Sequence, residues 1–522
     1  MNKIELYDTT LRDGAQSEGI SFSVADKMKV CEKLDELGVH FIEGGWPGAN
    51  PKDMEFFKKA KSLNLKNSEL VAFGSTRHAG TEASRDKVLN ALLGAGTKTI
   101  TIFGKSWDLH VKDVFKCDLG ENLLMIEDSV KFLKSMGRTV FFDAEHFFDG
   151  YKANKEYAIK CIKAASLAGA ARIVLCDTNG GTVTSQVFEI VEEVKAVIHT
   201  PLGIHAHNDC DMAVANSIAA IQAGCIQAHG TINGYGERCG NANLVSIIAT
   251  LKLKLGVDCI SGIQLKELTE VARFVAEVCN MKLDDRQPYV GNSAFAHKAG
   301  VHINAILKNP LTYEHAEPGI VGNRRRLLIS ELSGKSTILM KAQEMNLNLG
   351  KDTEKSKKIL KTLQDLEHGG YHFESAEASL ELLIKRVMKK FKDFFELEGF
   401  RVIIEKRKNG KMSSEATIKL KVGKEIEHTA AQGDGPVNAL DSAIRKALKK
   451  FYPRIGEMHL TDYKVRVLDE KQGTAARVRV LIQSQDKTDS WWTIGVSENI
   501  IDASWQALVD SVEYKLLKDS KA

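Results

Sequence analysis

Strand-like and helix-like stretches alternate through the first half of this chain, and few folds accommodate that rhythm. Short apolar, β-branched runs begin at Ile4 (IELYDTT), Phe41 (FIEGG), Leu70 (LVAFG), Thr99 (TITIFGK), Thr139 (TVFFDAE), Arg172 (RIVLCDT), Leu202 (LGIHAHN) and Ile226 (IQAHGTI). Amphipathic stretches such as SVADKMKVCEKLDELG and NKEYAIKCIKAASLAG separate them. Several of these helices are expected to stop at a glycine, which takes the left-handed cap conformation at least cost: Gly38, Gly94, Gly137, Gly169 and Gly224. Eight such units in roughly 250 residues predict an α/β chain opening with a closed (β/α)8 TIM barrel. A doubly wound open sheet is the alternative. It needs a glycine-rich phosphate turn after its first strand, and LRDGAQSEG is not one.

A barrel does not use up 522 residues. We expect a catalytic barrel over 1–270, a helical connector over 271–392 and a C-terminal α+β module over 393–522. Seventy-two Lys and Arg against 68 Asp and Glu leave +4, which argues against a nucleic-acid or membrane-surface partner. No run approaches the ~20 apolar residues of a membrane span. The start, MNKIELYDTTLRDG, is charged at once and carries no secretory apolar region. The nine Cys are odd in number and form no CxxC pair, as reduced thiols in a cytoplasmic protein would.

Barrels place functional residues at the C-terminal ends of their strands. Arg12, Asp13, Glu43, Lys105, Glu145, Asp177, Thr178, His205 and His207 all fall there, and the loop after strand 8 reads NGYGERCGN. His205 and His207 are two apart on a strand, so both rings point to one face. In a closed barrel, strand 1 neighbours strand 8 and strand 8 neighbours strand 7. Asp13, both His and Asn241 therefore come from three adjacent staves. One carboxylate, two imidazoles and one amide oxygen suit a six-coordinate divalent ion with open positions. A closed structural zinc site would favour Cys. The competing reading of an isolated HxH is core packing. Asn208, Asp209 or Glu237 are the nearby groups that would support the ligands.

LYDTTLRDGAQ, FDAEH, CDTNGG, GIHAHND and NGYGERCGN, in that order, resemble the family of 2-isopropylmalate, homocitrate and citramalate synthases. GISFSVADK and FIEGGWPGANPKD are most similar to the citramalate synthase branch. The resemblance covers nearly the whole chain. It implies an acyltransferase that condenses acetyl-CoA with pyruvate in isoleucine biosynthesis. A 2-isopropylmalate or homocitrate synthase is the alternative within the family, and a catalytically silent amino-acid sensor is the alternative outside enzymes. The resemblance further implies that Asp13, His205, His207 and Asn241 hold a divalent metal (magnesium, manganese, cobalt or zinc). Arg12 would bind the 2-oxo acid and polarise its keto oxygen, Thr178 would hydrogen-bond its carboxylate, and Glu145 would handle a proton near the thioester. The chemistry agrees, since a fixed positive charge belongs where the alkoxide develops. The plainer alternative is a structural ion pair between Arg12 and Glu145.

After the barrel, HKAGVHINAILKNPLTYEH resembles the family segment that brings a catalytic His and Tyr to a partner subunit, here His302 and Tyr313. A histidine suits a base acting near neutral pH. Where the family often carries an acid, this chain has Asn304. SELSGKST lacks the upstream glycine of a phosphate-binding loop, with Ile329 in its place, and Arg324 to Arg326 read as a solvated or inter-subunit charge run, with contact to CoA phosphates as the alternative. The last stretch reads as βββα twice. Its strands lie near RVIIEKR, EATIKLKV and EIEHTAAQG, then DYKVRVLD, ARVRVLIQ and WWTIGVSEN. It resembles the family's regulatory dimer domain. That implies a homodimer inhibited by an amino acid, isoleucine by the reaction implied, near Gly433, Asp434 and Gly435. Trp491 and Trp492 alternate along a strand and cannot both be core.

Overall fold

A computed structural model of the chain describes residues 3–328, 353–406, 408, 410, 412–468 and 476–521. Eight parallel strands close into a barrel in sequence order: β1 (Glu5–Asp8), β2 (Phe41–Gly45), β3 (Glu69–Ser75), β4 (Thr99–Lys105), β5 (Thr139–Glu145), β6 (Arg172–Asp177), β7 (Leu202–Ala206) and β8 (Gln227–Gly230). Each starts within one residue of its expected position. β1 closes on β8, with Tyr7 opposite His229.

Side-chain alternation sorts each strand between two environments. Leu6, Ile42, Ile102, Phe142 and Ile204 join the large core under the surrounding helices. Tyr7, Val71 and Phe141 form a separate small cluster. Both faces of every strand are covered, which is why these strands read as continuous apolar runs. The helices end largely as expected, with one correction. Gly94 lies inside the helix Lys87–Ala95, and the left-handed cap is Gly96, at φ 76°. LLGAGT offers two glycines, and the cap is the one whose N–H turns back to Leu93 O.

The chain divides into two compact units, Met1–Phe295 with His315–Arg325, and Ala296–Glu314 with Arg326–Ala522. The second begins with β9 (Ala296–His297), paired parallel to β10 (Arg326–Leu327), and the helix Gly300–Lys308. The helices Thr353–His368 and Glu377–Val387 follow. Residues 329–352, which hold the whole SELSGKST run and the start of the expected helical connector stretch, lie outside the described residues.

Two three-stranded antiparallel sheets complete this unit. They are β11 (Glu396–Lys406), β12 (Met412–Val422) and β13 (Glu425–Gly433), then β14 (His459–Val467), β15 (Val478–Gln485) and β16 (Ser490–Ser497). The helices Pro436–Lys449 and Ile500–Lys521 follow their respective sheets, so βββα occurs twice. Ile418 and Leu440 of the first repeat share one core with Val480 and Leu508 of the second. Trp491 is buried and its indole N–H donates to Ser511, while Trp492 faces the other way, half-buried, with Lys464 Nζ 4.5 Å from its ring centroid. Among the described residues no helix is long and apolar enough to cross a membrane. All nine cysteines are unpaired.

Candidate active site and metal centre

The turn after β1 carries Asp13, whose backbone N–H bonds back to Thr9 O at 2.9 Å. β7 carries His205, and His207 follows directly. The ring nitrogens His205 Nε2 and His207 Nε2 are 3.3 Å apart, and Asp13 Oδ2 lies 3.3 and 4.0 Å from them. All three side chains are buried. Burial opposes the charge on Asp13, but Arg12, His205 and His207 outweigh it and hold its carboxyl well below the usual carboxylate range. Burial, then the neighbouring His205, pushes His207 down to about 3, so this ring is neutral at ordinary pH. An ionised carboxylate beside a neutral imidazole is what a metal requires of its ligands.

Asn241 reaches the centre by an unusual route. The NGYGERCGN loop leaves β8 and returns, so that Asn241 bridges to His207 and Ala242 N bonds to Ala206 O at 2.9 Å. The return is tight. A Cβ on Gly240, at φ +92°, would come within 2.1 Å of Gly234 O. Asn241 Nδ2 donates to Tyr235 O, while its buried Oδ1 has no partner among the described residues. Native proteins rarely leave a buried acceptor unsatisfied. One carboxylate oxygen, two imidazole nitrogens and this amide oxygen therefore fit a divalent ion.

Arg12 sits beside this cluster. Its Nε donates to Glu43 Oε1 at 2.5 Å, its Nη1 is 3.3 Å from Asp13 Oδ2, and its guanidinium lies 3.7 Å from the Phe73 ring centroid. Glu43 is fully buried and also accepts from Thr9 Oγ1 at 2.7 Å and from the Tyr7 hydroxyl. The guanidinium is thus locked from below by a carboxylate that is itself fixed. The Arg12–Glu145 pair that the sequence allows does not form. Lys105, opposite Glu145 in the β4–β5 register, takes Glu145 instead.

The surrounding pocket has a volume of about 200 Å³, and Glu145 and Thr178 both line it. Thr178 Oγ1 accepts from the His146 N–H at 2.9 Å, which ties the end of β6 to the end of β5. Sequence reasoning did not select three further groups. Arg238 forks onto Asp209 at 2.8 and 2.9 Å and donates to Thr178 O. Trp46, Phe73 and Phe103 wall one side, their ring centroids 5.5–5.8 Å apart. Asp143 is buried, with Oδ1 unpartnered among the described residues, and burial followed by Glu43 raises it to about 7. Lys105 was noted at a strand end without a role. The alternation of TVFFDAE was the available signal for Asp143, which shares a face with Glu145.

His302 and Tyr313 belong to the second unit. Their rings stack at 4.1 Å and both are exposed. Asn304 is on the same helix, also exposed. Arg326 pairs with Glu377 at 3.7 Å. Gly433, Asp434 and Gly435 form the link from β13 to the helix Pro436–Lys449. Asp434 N–H donates to Asn438 Oδ1 at 3.2 Å, and Gly435 offers this helix no side-chain cap.

Comparison with known proteins matches this architecture part by part. The HMGL-like family matches residues 3–275, the homocitrate synthase post-HMGL domain-like family 289–369, and the LeuA allosteric (dimerisation) domain 374–516. An (R)-citramalate synthase of Geobacter sulfurreducens is 56% identical over 522 residues, covering 100% of this chain and 99% of its own. One from Aquifex aeolicus is 54% identical over 521 residues, covering 99% of each. A 2-isopropylmalate synthase of Methanocaldococcus jannaschii is 32% identical, covering 100% of this chain and 96% of its own. The chain belongs to the HMGL-like family and, within it, to the (R)-citramalate synthases.

Proposed function

We propose that this protein condenses acetyl-CoA with pyruvate and hydrolyses the thioester, giving (R)-citramalate and CoA. The observation that carries the reading is a small pocket in which Arg12 and the Asp13–His205–His207 cluster face an aromatic wall. Its size suits a short 2-oxo acid. When bound, a divalent ion supplies a Lewis acid for the keto oxygen.

The chain's own groups do the rest. Arg12, held by Glu43, sets a fixed positive charge where the keto oxygen gains negative charge, which needs no reorganisation during reaction. Thr178 hydrogen-bonds the acid's carboxylate. Glu145, beside Lys105, handles a proton near the thioester. We assign His302 the role of a base for the methyl group or the hydrolytic water, with Tyr313 stacked on it, and both serve the partner subunit of a homodimer. Their exposure and mutual stacking support this. The 1–270 barrel, 271–392 connector and 393–522 regulatory module remain our division of labour. Isoleucine is the effector we assign to Gly433–Gly435, where the helix start lacks a cap.

A keto-acid panel with acetyl-CoA, read by CoA release, tests the reading. Pyruvate should be preferred. A preference for 2-oxoisovalerate would instead make the protein a 2-isopropylmalate synthase. Metal analysis of native protein decides among magnesium, manganese, cobalt and zinc.

A further inference from the structure

Glu145 and His146 share a peptide bond at the C-terminal end of β5, and that peptide is held on both sides. Its carbonyl oxygen accepts from the Ser106 N–H at 3.2 Å and from the Ser106 hydroxyl at 2.6 Å, just past the end of β4. Its N–H, on His146, donates to Thr178 Oγ1 at 2.9 Å, just past the end of β6. One peptide plane therefore ties together the ends of β4, β5 and β6. It also joins Glu145, the proposed proton handler, to Thr178, the proposed partner of the substrate carboxylate.

The backbone at His146 makes this geometry possible. Its φ and ψ are 56° and 33°, in the left-handed region. That region is costly for residues with a Cβ, less so for Asn, Asp and His, and most so for β-branched residues. Such a conformation persists only where the surroundings fix it, and here they do. His146 O accepts the Gly150 N–H at 2.9 Å, within the short helix Phe147–Ala153. Gly150 lets that helix lie against the loop after β4, since a Cβ there would fall 2.4 Å from Ser106 O. The His146 ring is buried against the His110 ring, centroids 4.2 Å apart, with Nδ1 3.5 Å from Asp149 Oδ2. Asp149 in turn accepts from Asn179 Nδ2 at 2.9 Å. The His146 ring does not line the substrate pocket, so its influence there passes through its backbone.

The consequence falls on Thr178. A hydroxyl has one proton to give and two lone pairs to accept with. A main-chain N–H can only donate, so Thr178 accepts from His146 and keeps its own proton for another partner. Thr178 lines the pocket, and among the described residues nothing accepts that proton. A hydroxyl held in this way is a fixed donor, suited to a carboxylate oxygen.

We propose that His146 is a positioning residue, whose left-handed turn fixes the Thr178 hydroxyl as a donor to the carboxylate of the bound 2-oxo acid. This role depends on Thr178 binding the acid as proposed for the reaction.

The test is steady-state kinetics of the full-length protein, read by CoA release. Thr178→Val removes the donor. It should raise KM for pyruvate about tenfold or more, the usual worth of a hydrogen bond to a charged group, and leave KM for acetyl-CoA steady. His146→Val places a β-branched residue in the left-handed turn and should raise KM for pyruvate by a similar factor. His146→Asn adopts that turn readily and should recover most of the affinity. The double variant His146→Val with Thr178→Val should be no worse than Thr178→Val alone, because both changes remove one interaction. If His146→Val does not fold, His146→Ala carries the same comparison, with a rise of about threefold or more. A rise in Thr178→Val without one in the His146 variants overturns the proposal and leaves the Thr178 reading standing. Further loss in the double variant overturns it too, as does a His146→Asn protein as poor as His146→Val. Unchanged KM for pyruvate in Thr178→Val would reject Thr178 as the carboxylate partner, and the role of His146 with it. A wild type that prefers 2-oxoisovalerate would reject only the choice of acid, and the same comparison then runs on that acid, which carries the same carboxylate.

Discussion

The barrel mouth and a second cavity, lined by Leu366, Leu383, Arg386, Ile494 and Asp510 within the second unit, hold charged groups in opposite ways. At the mouth, two buried oxygens that face the site, Asn241 Oδ1 and Asp143 Oδ1, lack partners among the described residues. In the cavity, Arg386 is matched with Asp510, and Tyr371 donates to Gln506 at 2.8 Å. The difference separates two kinds of site. Atoms without partners gain bonds when something binds, so such a site can hold a tightly bound group. Matched atoms can only exchange partners, so the same number of contacts yields weaker, reversible binding.

Asp13→Ala strikes the first region hardest. It removes the only carboxylate among the proposed ligands while leaving Arg12 anchored on Glu43. We expect kcat/KM for CoA release to fall at least ~10³-fold, about 4 kcal/mol, with bound metal lost and melting temperature little changed. Full activity in this variant would remove the distinction, because the unpartnered atoms at the mouth would then be idle.

The second region should answer in stability rather than rate. Glu513 is fully buried and accepts the Phe394 N–H through both oxygens, at 3.0 and 3.2 Å. Burial pushes its carboxyl up from 4.5 to about 8. Below 4.5 the folded and unfolded chains both carry this proton. As pH rises, the unfolded chain loses it first, so this group's contribution to stability declines until pH passes about 8. The loss is about 5 kcal/mol. Glu513→Gln should flatten that decline, read as the difference between the wild-type and variant melting curves at pH 5 and pH 8.5. Parallel curves would reject the assignment.

What the sequence shows and what it hides divide on the same physical line. Strands, their order and the strand-end residues are legible, because period-two alternation and parallel closure act locally. HAH after Ile204 and the Asp after TTLR are legible for the same reason. Partner choice is not. Glu43 rather than Glu145 takes Arg12 because β1 and β2 are adjacent staves, and LYDTTLRDG does not disclose the rotamer that turns Arg12 that way. Arg238 and Asp209 are 29 residues apart, and their pairing depends on how the loop after β8 folds back. The second cavity is still less legible, since Leu366, Leu383 and Ile494 look like ordinary packing residues until three helices and β16 leave a gap.

Glu43→Gln tests whether anchoring matters at the mouth as much as the anchored groups do. The amide keeps the shape and removes the charge that orients the guanidinium. Such supporting partners typically count for about 10–100-fold. The loss should fall mainly on kcat, with KM for acetyl-CoA steady. A purely structural role would lower melting temperature and leave kcat intact.

The smallest effect bears on the helix starts of the two repeats. In the second, Asn499 Oδ1 accepts the Ile501 N–H at 2.8 Å, so this helix caps itself. In the first, Gly435 is extended at φ −156° and ψ 172° and supplies no cap, and a Cβ built there meets nothing within 4 Å. Gly435→Asn can therefore be accommodated and can copy Asn499. A glycine cap is only a few tenths of a kcal/mol poorer than Asn, so the variant should melt slightly higher. If a carboxylate of isoleucine docks at this helix start, the new side chain competes for the same N–H groups, and inhibition by isoleucine should weaken several-fold. Unchanged inhibition in a stabilised variant would move the effector away from Gly433–Gly435.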